Sequence, residues 1–324
     1  MSGMKNVLEK LGKQKSAIRF FVSFLCLFLV YRVLDLKGLM HTLEQVSLKE
    51  FILVVVLYVF GQIISTFKWA LFVNQVGIKR PAAMILRSYF FGMFINAFGF
   101  GTLGGDVARG LSLKPEKGMR AAALASVIAD RVHGLFVLLC IGCVAMLVSP
   151  PPSLGIEIEL IALAGLVLLI VGWFIGPSIL LKLAPPSSKL YVAASQIQLA
   201  FSKHPGVMAL ATILSLGLHC TQIFTHWLIG HALGMPLSLA FMFSTIPLVN
   251  VISSLPISVG GLGVREALLV LLFVPAGASE EAAVALGAVW IITTTVVSAL
   301  GGLIVSGQVA IEKSDLAKES EAQA

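Results

Sequence analysis

The sequence predicts an all-α polytopic membrane protein built as an inverted-topology repeat, with six spanning helices and two glycine-rich helical hairpins. Three observations predict it. The chain of 324 residues is 58% hydrophobic and only 12% charged, roughly half the charged share of an ordinary soluble domain. Apolar stretches of about 20 residues recur along it, each long enough to cross a hydrocarbon core about 30 Å thick. A pattern of two glycines, three residues and an arginine occurs twice, in GTLGGDVARG at 101–110 and in SVGGLGVREA at 258–267.

Residues 1–16 form a basic N-terminal segment, which with Arg19 carries Lys5, Lys10, Lys13 and Lys15 ahead of the first apolar run. The layout resembles a secretory signal, but no small-residue cleavage site follows, so the run is read as a retained first helix. Membrane segments are expected at 17–36, 51–73, 84–118, 121–148, 160–181, 207–233, 237–276 and 282–308. They make one membrane domain, 17–308, followed by a tail at 309–324. The third and seventh segments are long, and glycines and polar residues interrupt both.

Charge sets the sidedness. The net charge is +7, and 17 of the 23 Lys and Arg residues fall in the N-terminus, residues 74–87, 109–120, 182–206 and the tail. Residues 149–159, 234–236 and 275–281 have none. The positive-inside rule makes the first set cytoplasmic, both termini included, and the net charge then needs no nucleic-acid partner. The segment 84–118 is basic at both ends, so it enters and leaves on the cytoplasmic side. The segment 237–276 lacks basic residues at both ends, so it enters and leaves outside. Each is a hairpin with its glycine pair near the turn. Re-entrant and full double crossings give the same sidedness. The return arms, Asp106–Lys114 and Val264–Val274, favour re-entrance, since they reach only about 13–16 Å as helices. Residues 17–148 and 160–308 then repeat the order helix, helix, hairpin, helix in opposite orientations. That architecture is the one expected of alternating-access transporters.

The paired motifs carry the candidate chemistry. Gly104 and Gly105, and Gly260 and Gly261, permit a tight turn and close backbone approach. A helix starting just after such a turn offers free N–H groups, which attract anions. Arg109 and Arg265 add forked donors suited to phosphate. Asn96 and Asn250 precede the two motifs by similar distances and can hydrogen-bond a head group. Asp106, three residues before Arg109, can hold its guanidinium or relay a proton. Glu266 is adjacent to Arg265 and less well placed to pair with it. Asp130 and Arg131 lie in ASVIADRVHGLFVLL, where Asp130 is expected to face protein and to pair with Arg109 or Arg131. The plain alternative is that the glycines only let helices pack closely and that Arg109 is only a cytoplasmic anchor. Lys68 and Arg131 can likewise snorkel to the surface.

Other features carry less. Cys140 and Cys143 lie in an apolar run without acidic or histidine neighbours, which suits packing better than metal. His219 and His226 share a helix face, and His231 follows; helix–helix hydrogen bonding suits them better than a metal or haem site, and no cofactor is expected. Residues 191–204 read as a mildly amphipathic surface helix. No P-loop, HExxH or GxSxG occurs, so an enzyme is not expected, and movement of a substrate must follow a gradient or be passive.

The pairing of NAFGFGTLGGDVARG with LPISVGGLGVREALLVLLF resembles the lysylphosphatidylglycerol synthase transmembrane region, a flippase-like family, over about residues 17–308. Members include the membrane half of the multiple peptide resistance factor, which moves aminoacylated phosphatidylglycerol between leaflets. The sequence stops at Ala324, shortly after its last helix, so the aminoacyltransferase activity is not carried over. The resemblance implies a protein of the bacterial or archaeal cytoplasmic membrane that binds and translocates an anionic or polyprenyl-linked lipid. The alternative is a non-translocating lipid-binding subunit of a lipid-modifying or glycosyltransferase system, with a lipid-synthesising enzyme as partner.

Overall fold

The computed structural model of the chain describes all residues except 1–20, 22–23, 26–27, 29–35, 99–100, 152–156, 186–187, 202–203, 256, 259 and 323–324. Every regular element among the described residues is a helix: α1 (Leu36–Glu44), α2 (Leu48–Gln75), α3 (Ala82–Phe98), α4 (Gly101–Ser112), α5 (Arg120–Val148), α6 (Glu157–Leu183), α7 (Lys189–Ala200), α8 (Pro205–Ala232), α9 (Leu239–Ser254), α10 (Val264–Phe273) and α11 (Glu280–Ala322). Five are long and apolar enough to cross a membrane, namely α2, α5, α6, α8 and the Glu280–Gly302 part of α11. The protein is therefore a polytopic helical membrane protein. The expected first helix at 17–36 and its basic leader lie almost wholly outside the described residues.

Local chemistry sets the helix ends. Ahead of α2, the Ser47 backbone N–H donates to Glu50 Oε2 at 2.9 Å, and the Glu50 N–H donates back to Ser47 Oγ at 3.3 Å. This reciprocal pair satisfies two backbone donors that the first turn leaves orphaned. At the other end Gly77 adopts a φ of 82°. The Gly77 N–H then reaches the Asn74 carbonyl at 3.1 Å and the Ile78 N–H reaches that of Val73 at 3.2 Å, a Schellman stop that favours glycine at the left-handed position.

The two long segments each divide into two short helices whose arms pack on one another, α3 on α4 and α9 on α10. The entry arms have 17 and 16 residues, about 24–26 Å at 1.5 Å per residue, against a hydrocarbon core about 30 Å thick. The first return arm corrects the sequence reading. Helix α4 begins at Gly101, so Gly104 and Gly105 lie inside the helix and form no turn. A Cβ on Gly105 would overlap the Asn96 side chain and the Gly92 carbonyl oxygen, and one on Gly92 would lie 2.7 Å from Arg109 Cβ. These glycines close the arms of the hairpin on each other.

By packing, the chain forms two compact units. One comprises residues 1–57, 135–171 and 219–291, and holds the α9–α10 hairpin. Within it the Ser244 hydroxyl donates to the Ser149 carbonyl at 2.8 Å, and a Cβ on Gly142 would sit 2.9 Å from Pro247. The other comprises residues 58–134, 172–218 and 292–324, and holds the α3–α4 hairpin. Its core includes Trp69, Val73, Ile85, Leu113, Ala123 and Val127. Each of the five spans divides between the units near its middle, whereas each hairpin falls wholly within one.

Candidate functional site

In the second unit, three apolar helices each carry a polar face. On α2, Gln62, Ser65, Lys68 and Trp69 recur at spacings of three to four residues, which puts them on one side. On α5, Ser126, Asp130 and His133 do the same, and on α4 Asp106 and Arg109 are three apart. Asp130 lies where these faces meet and is only 4% exposed. Its carboxylate forms an ion pair with Lys68 Nζ at 3.0 Å and accepts from Arg109 Nη2 at 3.0 Å. Lys68 Nζ also donates to the Asp130 backbone carbonyl at 3.1 Å. Asp106 faces Arg109 Nε at 3.5 Å and pairs with Arg131 Nε. The Arg109 guanidinium is stacked over the rings of Trp69 and Tyr89, with centroids 4.9 and 5.2 Å away. Those rings are held in turn. Trp69 Nε1 donates to Ser126 Oγ at 3.2 Å, and the Tyr89 hydroxyl reaches Ser65 Oγ at 2.8 Å and Gln62 Oε1 at 3.1 Å.

This cluster decides two of the alternatives left open by the sequence. Lys68 does not snorkel: it is 2% exposed and bound to Asp130. Arg109 is no surface anchor, being 6% exposed in the last turn of α4. It is also far from that helix's N-terminus, so the N–H groups of α4 do not reinforce it. Arg131 is the most accessible member, its side chain 45% exposed. Lys68 is the cluster member that the sequence reading left outside the candidate site; the stripe of Gln62, Ser65 and Lys68 in an otherwise apolar helix was its signal. Counted as ionised groups, Lys68, Arg109 and Arg131 face Asp106 and Asp130. The cluster thus carries one uncompensated positive charge among the described residues. Asn96 Oδ1, on the facing arm, is buried and has no hydrogen-bond partner.

In the first unit the second motif is used differently. Gly260, Gly261 and Gly263 take φ of 62°, 83° and 80°, and α10 starts immediately after them. Positive φ at these three positions is what glycine, lacking a Cβ, adopts without strain. Arg265 is half-buried in the first turn, and its Nη2 lies 3.4 Å from where a Gly261 Cβ would stand. Glu266 does not pair with it there: its Oε2 accepts from the Gly263 N–H at 2.6 Å and caps the helix. Asn250 is half-buried on α9. Measured from the glycine pair, the two return helices start seven residues apart in register, about two turns. The same spelling therefore puts Arg109 at a helix end and Arg265 at a helix start.

The histidines are packing groups in the same unit. His226 Nδ1 lies 2.8 Å from the Gln222 carbonyl, its ring 3.9 Å from that of Trp290, and His231 stacks on Trp227. Among the described residues no three His, Cys, Asp or Glu side chains gather as a metal site. Cys140 and Cys143 are free and half-buried.

The model of one family, described as the lysylphosphatidylglycerol synthase TM region, matches residues 16–302. No curated protein matches the chain.

Proposed function

The chain belongs to the lysylphosphatidylglycerol synthase TM region family, and from that premise we propose that it binds an anionic lipid head group and passes it between leaflets. The observation that carries this reading is the uncompensated positive charge of the Lys68–Asp130–Arg109–Asp106–Arg131 cluster. A net charge held among membrane-spanning helices is costly unless a partner neutralises it. A phosphodiester supplies one negative charge and two non-bridging oxygens as acceptors for the accessible Arg131 fork. The glycine loop before α10, with Arg265 beside it, is a second head-group site in its own unit.

The proposed architecture is an inverted-topology repeat, 17–148 and 160–308, with both hairpins re-entrant and both termini cytoplasmic. The short entry arms support it. The protein acts as a transporter and not as an enzyme, in the cytoplasmic membrane.

The test is a leaflet assay in liposomes containing fluorescent short-chain phosphatidylglycerol. Wild type is expected to speed access to the opposite leaflet, and Arg131→Gln and Arg265→Ala each to slow it at least tenfold. If wild type matches empty liposomes for phosphatidylglycerol and polyprenyl phosphate, translocation is refuted. The protein is then a lipid-binding subunit for a partner enzyme.

A further inference from the structure

Away from the charge cluster, but in the same unit, a cavity of about 530 Å³ lies between the C-terminal half of α6 and the surface helix α7. Gly172, Trp173 and Gly176 form one wall, Ile197 and Phe201 the other, and Val132 of α5 lies at the base. We propose that this groove holds one acyl chain of a bilayer phospholipid. The proposal rests on the reading that the protein binds lipid.

Four features select that occupant. First, the groove opens on the least covered span: only 6% of the apolar window of α6 is buried, against 28–56% for the other four. A span with so little protein against it meets hydrocarbon, where acyl chains are the solvent. Second, Gly172 and Gly176 are four residues apart, yet a Cβ on either would meet nothing within 4 Å. Such a pair normally brings two helices into close contact; here it leaves a slot open.

Third, the size suits a chain. A methylene takes about the volume of a water molecule, roughly 30 Å³, so about 530 Å³ accepts a chain of ordinary membrane length. Fourth, the walls are fixed in advance. Trp173 and Phe201 meet edge to face at 5.3 Å, Phe201 meets Phe72 likewise at 5.7 Å, and His133 packs against both Trp173 and Phe72. A rigid aromatic lining lowers the ordering cost of binding.

Trp173 in the wall provides the readout. The full chain is placed in vesicles of phosphatidylglycerol with dibrominated acyl chains, which quench tryptophan on contact. The difference between wild type and Trp173→Phe isolates the Trp173 signal from Trp69, Trp227 and Trp290. The wild-type Trp173 signal is expected to fall at least twofold in brominated vesicles. The filled variant Gly172→Leu/Gly176→Leu is expected to lose most of that quenching while the other three tryptophans keep theirs. That last condition reports an intact fold, and Gly172→Ala/Gly176→Ala serves as a milder version.

Quenching that persists unchanged in the filled variant overturns the proposal, as does a Trp173 signal insensitive to bromine. So does efficient disulfide cross-linking of Gly172→Cys between two copies, which would put protein in the slot. Vesicles of brominated phosphatidylcholine separate this proposal from the head-group reading. Equal Trp173 quenching in both lipids keeps the groove and removes the anion preference. Loss of quenching in both overturns the groove and leaves the leaflet assay to judge the charge cluster.

Discussion

Replacing Asp130 by Asn removes the carboxylate that two buried cations share. Lys68 Nζ and Arg109 Nη2 each lie 3.0 Å from it, and at that distance a pair is worth about 5–6 kcal/mol of gross attraction at an effective dielectric of about 20. Desolvation offsets most of this, and the net cost of breaking one buried pair is about 3–5 kcal/mol. Arg109 keeps its contacts with Trp69, Tyr89 and Asp106, whereas Lys68 keeps only the Asp130 backbone carbonyl and the new amide oxygen. The stranded ammonium is therefore the main source of the loss. Asp130→Asn is expected to lower the melting temperature of the protein in nanodiscs by about 5–10 °C, at roughly 2 °C per kcal/mol for a chain of this size. Lys68→Met leaves Asp130 with Arg109 and is expected to cost less than half as much. The double variant is expected to be more stable than Asp130→Asn alone, because the unpaired cation is gone. A thermal melt of the three variants completes the cycle. Additive losses, or an Asp130→Asn protein that melts within about 2 °C of wild type, refute the idea that Asp130 compensates both charges.

Three further outcomes follow from the same structure. Gly105→Ala forces a methyl into the Asn96 side chain and the Gly92 carbonyl, so it should destabilise the protein by about 1–3 kcal/mol or more; Gly176→Ala, with nothing within 4 Å, should be neutral or gain about 0.5–1 kcal/mol of helix propensity, as thermal melts would show. Glu266→Ala removes the cap on the Gly263 N–H and should cost about 0.5–2 kcal/mol, while Glu266→Gln retains an acceptor and should melt close to wild type; equal losses would mean that the charge and not the cap matters. Single cysteines at Lys79, Glu116 and Glu280, in a cysteine-free background, should label with an impermeant maleimide from the cytoplasmic side for the first two and from the outside for the third. Opposite labelling of Lys79 and Glu116 would show that 84–118 crosses the membrane instead of returning.

The sequence alone determined the class of protein, because hydropathy acts residue by residue and needs no partner. The spans placed at 51–73, 121–148, 160–181 and 207–233 match α2, α5, α6 and α8 to within three residues. That the two long segments divide was legible too, because glycines and polar groups interrupt their apolar runs, but where the first divides was not. What the sequence did not determine was how one motif is used in two places. Gly104–Gly105 and Gly260–Gly261 are spelled alike, but the first pair lies inside a helix against Gly92 and Asn96 and the second forms a left-handed turn. Glycine permits both, so only the neighbouring helix decides. The fate of the charges was decided the same way. Lys68 can reach water along its own stem or turn inward, and the energies become different only once Asp130, 62 residues later, is brought beside it. The open slot along Gly172 and Gly176 is equally a property of what packs nearby, since a glycine in sequence says that room is possible and only the fold says whether something has filled it.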